Sequence, residues 1–450
     1  MSFSVDITEF VRAGENTLTV RARDNERDRL IPTGKQSTEF HSRGCNYTRT
    51  TGIWQTVWLE FVPVTHIRKV KYFPDAASGT LSVLADLCGA GTFTVEASFS
   101  GRPVGSASSD SAGGQVMLTV PLSEKHLWEI GAGGLYDLKL TFGPDTVKSY
   151  FGLRSIDYSG KKFRLNGKSV FQRLILDQGF YPDGIYTAPS DAELEADVDR
   201  SMAMGFNGAR LHEKVFEERF LYHCDRKGYI VWGEFPNCGL DHSYADSVYG
   251  ILPEWLEEVE RDFNHPSIVG WCPFNETWDI KGRHQFDGLL DLVYRATKSA
   301  DPTRPCIDTS GNYHVATDIY DVHAYEQDPE KFASFYEKLS EGEVADHCGK
   351  RQSYDGRLPF FVSEYGGIRW TEDQSGWGYG NAPKTAEEFL SRLRGLTDAL
   401  LDNPCIFGLC YTQLTDVEQE QNGLYTYDRR PKFAPEIINP IFSRKAAVED

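Results

Sequence analysis

The chain is 450 residues long, 40% apolar and 13% aromatic, with a formal charge of −19. That length holds about two to four domains with cores of their own, and so acidic a composition excludes the basic face that nucleic acid requires. No apolar run reaches the ~18 residues that cross a bilayer, so no membrane partner is expected.

Residues 1–63 read as β structure. Residues 17–23 alternate apolar and polar positions, and 52–62 are β-prone with period two. A polar loop, 24–50, lies between them. So few strands cannot close a sandwich, and the chain is expected to open in the middle of a domain. Residues 64–155 carry short strands at 64–73, 79–88, 92–99, 115–120 and 136–142, separated by Gly- and Ser-rich turns such as 106–114. About seven strands at this regular spacing suggest an immunoglobulin-like β-sandwich acting as a support.

From 156 to 450 the rhythm changes to short apolar strands alternating with amphipathic helices. Strands are expected at 169–176, 206–210, 229–234, 268–275, 305–309, 319–323, 360–364 and 406–411. Helices are expected at 191–204, opened by a Ser190/Glu193 capping box, and at 253–264. Eight β/α repeats predict a (β/α)8 TIM barrel, with an open flavodoxin-like sheet as the alternative. The fifth-to-sixth connection is short for a full helix.

Two of these strands end in a glutamate. Ser267-Ile-Val-Gly-Trp-Cys-Pro-Phe-Asn-Glu276 ends expected strand four, and Pro359-Phe-Phe-Val-Ser-Glu364-Tyr-Gly-Gly ends strand seven. A barrel gathers its strand ends into one pocket, and two carboxylates there can serve as acid/base and nucleophile in glycoside hydrolysis. Asp177, Arg210, His212, His323, Tyr325 and Tyr411 end other strands and are expected to face the same pocket. Trp278, Trp370 and Trp377 suit stacking on sugar rings. Singly, each of these is an ordinary strand-end or core residue; the paired glutamates are what turn the reading toward chemistry.

With these motifs in order, the chain resembles glycoside hydrolase family 2. Thr48-Arg-Thr-Thr-Gly-Ile-Trp-Gln-Thr-Val-Trp-Leu-Glu60 is similar to the end of that family's N-terminal jelly roll. His265-Pro-Ser-Ile-Val-Gly-Trp, running on to Asn275-Glu276, is similar to its acid/base motif, and Phe361-Val-Ser-Glu364-Tyr-Gly-Gly to its nucleophile motif. Residues 411–432 resemble its last strand and following loop. The resemblance implies three domains: a partial jelly-roll sugar-binding domain (1–63), the sandwich (64–155) and the catalytic barrel (156–450). It also implies that the family's first jelly-roll half is missing, as in an N-terminally truncated member.

By the same resemblance Glu364 is the nucleophile and Glu276 the acid/base, with its pKa raised. Asn275 holds the 2-hydroxyl, Tyr325 orients Glu364, and Asp177, Arg210, His212, His323, Trp278, Trp377 and Tyr411 contact the carbohydrate. In family β-glucuronidases an Asn and a Lys two residues later hold the uronate. Here Glu420 and Asn422 stand in that loop, which argues for a neutral sugar, most of all a β-galactoside, with β-glucuronides and β-mannosides as alternatives. Tyr411 stands where many members have Trp. Glu234 is the single candidate among the family's magnesium ligands after strand three, so no metal or other cofactor is expected. A catalytically impaired carbohydrate-binding or scaffold protein is the reading from another class. A homo-oligomer is compatible with the resemblance. The opening Met1-Ser-Phe-Ser-Val-Asp6 lacks the pattern of a secretory signal. Nine scattered cysteines without a C-x-x-C pair fit reduced thiols in a cytoplasm better than disulfides or a zinc site.

Overall fold

Apolar alternation organises the first sheets of the computed structural model, which describes residues 3–345, 351, 352, 354–371 and 376–450. Seven antiparallel strands run from β1 (His66–Asp75) through β2 (Thr80–Cys88), β3 (Gly91–Phe99), β4 (Arg102–Ser111), β5 (Gly114–Pro121) and β6 (Leu135–Phe142) to β7 (Asp145–Gly152). They form a three-stranded sheet, β1-β2-β5, and a four-stranded sheet, β4-β3-β6-β7. Leu81, Val83, Ala85 and Leu87 on β2 alternate inward to meet Phe93, Val95 and Ala97 on β3 and Leu138, Leu140 and Phe142 on β6. Each of these Leu, Val and Phe side chains contributes about 1.5–3 kcal/mol by leaving water. The sequence pattern does not single out β4 or β7. β4 reads as a turn because Gly105-Ser-Ala-Ser-Ser-Asp110 is small and polar, which an edge strand tolerates.

The sandwich is bolted to the C-terminal part of the chain. Asn264 accepts from Tyr72 N at 2.8 Å and donates to Val70 O at 2.9 Å. Asp225, buried, accepts from Tyr150 Oη (2.8 Å), His265 Nδ1 (2.6 Å) and Ser267 N (2.9 Å). A small sheet, β8 (Ile156–Asp157), β9 (Arg164–Leu165) and β10 (Lys168–Ser169), then leads in.

Seven parallel strands come next: β11 (Gln172–Asp177), β12 (Gly208–Leu211), β13 (Ile230–Glu234), β14 (Ile268–Cys272), β15 (Tyr320–Ala324), β16 (Phe360–Gly366) and β17 (Ile406–Thr412). They are ordered β14-β13-β12-β11-β17-β16-β15. Every residue in them is buried, as befits a parallel sheet covered on both faces. The expected fifth strand forms only isolated bridges. Ile307 N donates to Trp271 O and Ser310 N to Phe274 O, while Asp318 N donates to Cys306 O on the far side. The segment thus closes the cylinder between β14 and β15, and the barrel is a TIM barrel with one irregular stave. The interior is filled by Leu174, Leu176, Ile230, Trp232, Val269, Ile307, Phe361 and Phe407. Gly270 makes room for the Trp232 indole; a Cβ there would lie 2.3 Å from Cζ3.

Helices α1 (Asp191–Ala203), α2 (Glu218–Lys227), α3 (Val248–Asp262), α4 (Asp287–Ala300), α5 (Pro329–Ser334), α6 (Ala386–Leu401) and α7 (Pro435–Phe442) lie among the strands. Ser190 caps α1 by accepting from Glu193 N, as the sequence suggests. α3 begins five residues before Pro253, so that proline lies inside the helix rather than at its start.

Residues 3–63 differ from expectation. Neither 17–23 nor 52–62 is a strand; only isolated bridges such as Gln36↔Tyr47 occur there. Period two makes a strand only where a neighbouring strand accepts the ladder bonds, and none lies alongside among the described residues. Instead, residues 33–55 form a strap across the barrel. Thr33 N donates to Cys238 O, Gly34 N to Pro236 O, and Gln55 Nε2 to Val215 O.

Candidate active site

Glu276 comes just after β14 and takes a left-handed φ of 47°, a strained geometry of the kind that functional sites retain. Its N–H donates to Ser310 O at 3.0 Å, so the irregular fifth stave holds it in place. Glu364 lies on β16 at a register shift between Val362 and Tyr365. Such an irregularity turns successive residues to one side. Ser363 reaches Asp321 and Ser310, and Glu364 also faces inward.

Glu364 Oε1 accepts from Arg210 Nη1 at 3.0 Å and Oε2 from Tyr325 Oη at 2.5 Å. His323, on β15, bridges the two carboxylates. Its Nδ1 meets Glu276 Oε1 at 2.7 Å and its Nε2 lies 3.5 Å from Glu364 Oε1. An atom of each of Glu276, His323 and Glu364 lies within 4.8 Å of the other two. These three are also the described residues placed to hold a cation.

Burial alone raises the Glu276 carboxyl, but the hydrogen bond and charge of His323, helped by Lys35 and His212, hold it down at about 2. Burial lowers His323, yet the charges of Glu364 and Glu276 outweigh it and the imidazole is raised. The pair therefore keeps its proton on His323. This corrects the expectation of a raised acid: the partner that positions Glu276 is itself a base. Tyr325 is pushed far up by burial and by Glu364, so it stays a donor.

Several expected sugar contacts are engaged elsewhere. Arg210 on β12 is buried and gives its donors to Glu234 (2.5 Å), Ser363 O (2.7 Å), Glu364 and Asn275 Oδ1 (3.1 Å). It stands behind the carboxylates as a positioning group. His212 Nδ1 meets Glu234 Oε2 at 3.1 Å. Burial would raise Glu234, but Arg210 and His212 hold it at about 2. Asp177 closes β11, accepts from Gly179 N at 2.9 Å, and is raised to about 6 by burial and by Asp197.

Tyr411 corrects the expectation most sharply. It packs outward against Tyr365 and Phe442, because Cys410, one residue before it on β17, faces the interior. Trp370 likewise packs on Phe389 and Phe433. Trp278 stays at the rim, 42% exposed, edge-on to Tyr313. Trp377 donates from Nε1 to Gly44 O at 2.7 Å, which fastens the strap.

Sequence reasoning missed the strap's part in the site. Tyr47 Oη donates to Glu420 Oε2 at 2.6 Å, and Asn422 Nδ2 donates to Oε1 at 3.2 Å. Burial raises the Glu420 carboxyl. Both of its oxygens are thus hydrogen-bonded, which favours the ionised form against that burial. Lys35 is partly buried on the strap. Burial lowers its ammonium, but Cys45, Cys238, Glu213 and Glu276 act more strongly and raise it well above the usual lysine value. Tyr379 stacks on Tyr325 at 3.4 Å. Only the polar composition of 24–50 hinted at a strap.

Residues 190–369 match the family model described as Glycosyl hydrolases family 2, TIM barrel domain. A putative beta-glucuronidase of Formosa agariphila is 24% identical over 395 residues, covering 82% of this chain and 45% of that protein. A beta-galactosidase of Leuconostoc mesenteroides is 27% identical over 346 residues, covering 70% and 32%. The beta-glucuronidase of Rattus norvegicus is 23% identical, covering 99% and 74%. The chain thus spans less than half the length of the first two relatives. Among solved structures, the Lactobacillus rhamnosus beta-glucuronidase superposes with a TM-score of 0.70 at 18% identity, covering 85% of this chain and 68% of that one.

Proposed function

The chain belongs to glycoside hydrolase family 2, and from that premise we propose that it is a retaining exo-β-glycosidase. The observation that carries the reading is the approach of Glu276 and Glu364, with an oxygen of each within 4.8 Å. That matches the roughly 5–5.5 Å of retaining enzymes, not the ~6.5–9.5 Å of inverting ones.

Glu364, held by Arg210 and Tyr325, attacks the anomeric carbon as the bond to the leaving oxygen breaks. Glu276 delivers the proton of the Glu276–His323 pair to that oxygen. In the second step water loses its proton to Glu276 and releases the sugar from Glu364. Neutralising Glu364 as an ester removes a charge that favours the imidazolium form of His323, so proton transfer follows the state of the nucleophile.

The sugar has two readings. A neutral β-galactoside follows if Glu420 repels acids. Relatives named beta-glucuronidase favour a β-glucuronide. A panel of nitrophenyl β-glycosides with an activated 2-fluoro glycoside tests the function. Covalent labelling at Glu364, absent in Glu364→Gln, is expected. Sugar binding without any label or turnover would instead support a binding protein and sink the enzymatic reading.

A further inference from the structure

The irregular fifth stave does more than close the cylinder. Its turn, Ser310-Gly311, seats the imidazole of His323 beside Glu276. Gly311 has φ +74° and abuts the His323 ring; a Cβ there would come 2.2 Å from Cγ and 2.4 Å from Nδ1, so a larger residue would displace the ring. Ser310 is fully buried and fixed through its backbone. Its N–H donates to Phe274 O at 2.8 Å, and its carbonyl accepts from Glu276 N at 3.0 Å.

The Ser310 hydroxyl lies 2.6 Å from Asp321 Oδ2, 3.0 Å from His323 Nε2 and 3.2 Å from Ser363 Oγ. It has one hydrogen to give. Burial would raise the Asp321 carboxyl, but His314 holds it at about 2. His314 Nε2 lies 3.1 Å from Asp321 Oδ1, while its Nδ1 meets Asp308 Oδ1 at 2.7 Å. An ionised Asp321 only accepts, and its Oδ2 also takes Gly311 N at 3.1 Å and the Ser363 hydroxyl. The Ser310 hydrogen therefore goes to Asp321, its shortest contact and a charged one, and a lone pair is left facing His323. Arg210 Nη1 comes within 3.4 Å of the same Nε2, but its two hydrogens go to Ser363 O and Glu364 Oε1. Nε2 thus faces acceptors, Ser310 Oγ and, at 3.5 Å, Glu364 Oε1, and carries a hydrogen itself.

Left free, a neutral imidazole would put its single hydrogen on Nδ1, 2.7 Å from the Glu276 carboxylate. With that hydrogen held on Nε2, Nδ1 and Glu276 meet lone pair to lone pair unless a further proton lies between them. Resting on the glycosidase reading above, we propose that Ser310 is a positioning residue for the acid/base. Backed by Asp321, it fixes one hydrogen of His323 on Nε2 and so keeps the transferable proton on the line from Nδ1 to Glu276. Glu276 passes that proton to the leaving oxygen as the glycosidic bond breaks, and recovers one from water in the second step.

Two measurements test this. The first needs no substrate: NMR of the full chain with isotope-labelled histidine, at a pH where His323 is neutral, its signals identified by their loss in His323→Asn. Wild type is expected to carry the hydrogen on Nε2, Ser310→Ala on Nδ1, and Ser310→Thr, which keeps the hydroxyl, on Nε2 again. The second compares leaving groups. Ser310→Ala should lower kcat/KM for a phenyl glycoside by about 10- to 100-fold. For a dinitrophenyl glycoside, whose leaving group needs no proton, the change should be less than about threefold. Ser310→Thr should recover most of the loss. A merely structural role would lower both substrates alike. Hydrogen on Nδ1 in wild type, or equal losses with both leaving groups, would overturn the role of Ser310 while leaving the glycosidase intact. Absence of turnover and of 2-fluoro labelling in wild type would overturn the glycosidase reading itself, and the inference with it.

Discussion

The substitution His323→Asn should move the alkaline limit of activity. In the wild type Glu276 is held at about 2 from an ordinary 4.5, and His323 is raised above its ordinary 6.5. The pair therefore retains one proton until the pH passes the raised imidazole value, and that proton is what the leaving oxygen receives. An asparagine side chain in place of the imidazole holds no such proton. Protonation of the acid then depends on Glu276 alone, near 4.5 and lifted somewhat by burial. The alkaline limb of kcat/KM should fall by about 1–2 pH units, which at pH 7 is a loss of roughly 10- to 100-fold. The assay is kcat/KM against pH for a phenyl and a dinitrophenyl glycoside of the preferred sugar. The phenyl substrate needs protonation to leave and should show the shift; the dinitrophenyl one should be nearly insensitive. An unmoved alkaline limb, or equal losses with both leaving groups, would refute the shared-proton argument.

Arg210→Leu should destabilise the fold by about 3–5 kcal/mol in denaturant unfolding, because it strands the buried Glu234 and Glu364 carboxylates; a change below about 1 kcal/mol would mean water enters to solvate them. The Asp225–His265 pair makes stability depend on pH. Burial lowers His265, but Asp225 raises it above the unfolded value of 6.5. Its contribution is thus complete below about pH 6.5 and fades as pH rises through the folded value. Asp225→Ala should flatten that part of the stability–pH curve, and an unchanged slope would remove the pair from the account. Gly34→Ala should strain the strap by about 1 kcal/mol or more and lower kcat/KM on the preferred sugar. Full activity there would show that the strap does not shape the pocket.

The sequence alone determined the parts whose signal is local. Seven of the eight expected barrel strands appear within a few residues of their expected bounds, because each is a short apolar run between turns and helices. Glu276 and Glu364 could be picked out because each ends such a run, and Ser190 because its capping partner lies three residues away. The features beyond reading depend on distant closure. Tyr411 and Cys410 are equally apolar in the sequence, and only pairing with β16 decides which faces the helices. Arg210 reads as a strand-end cation until Glu234 and Glu364 from two other strands, and Asn275 from the loop after β14, converge on it. The strap shows the limit most plainly. Tyr47 meets Glu420 across 373 residues of chain, and Lys35 acts on Glu276 from a polar loop between two stretches whose period-two pattern promised a sheet. Periodicity records which face a residue takes within its own element; which elements share a pocket is settled only when the barrel closes and the chain before it lies across the rim.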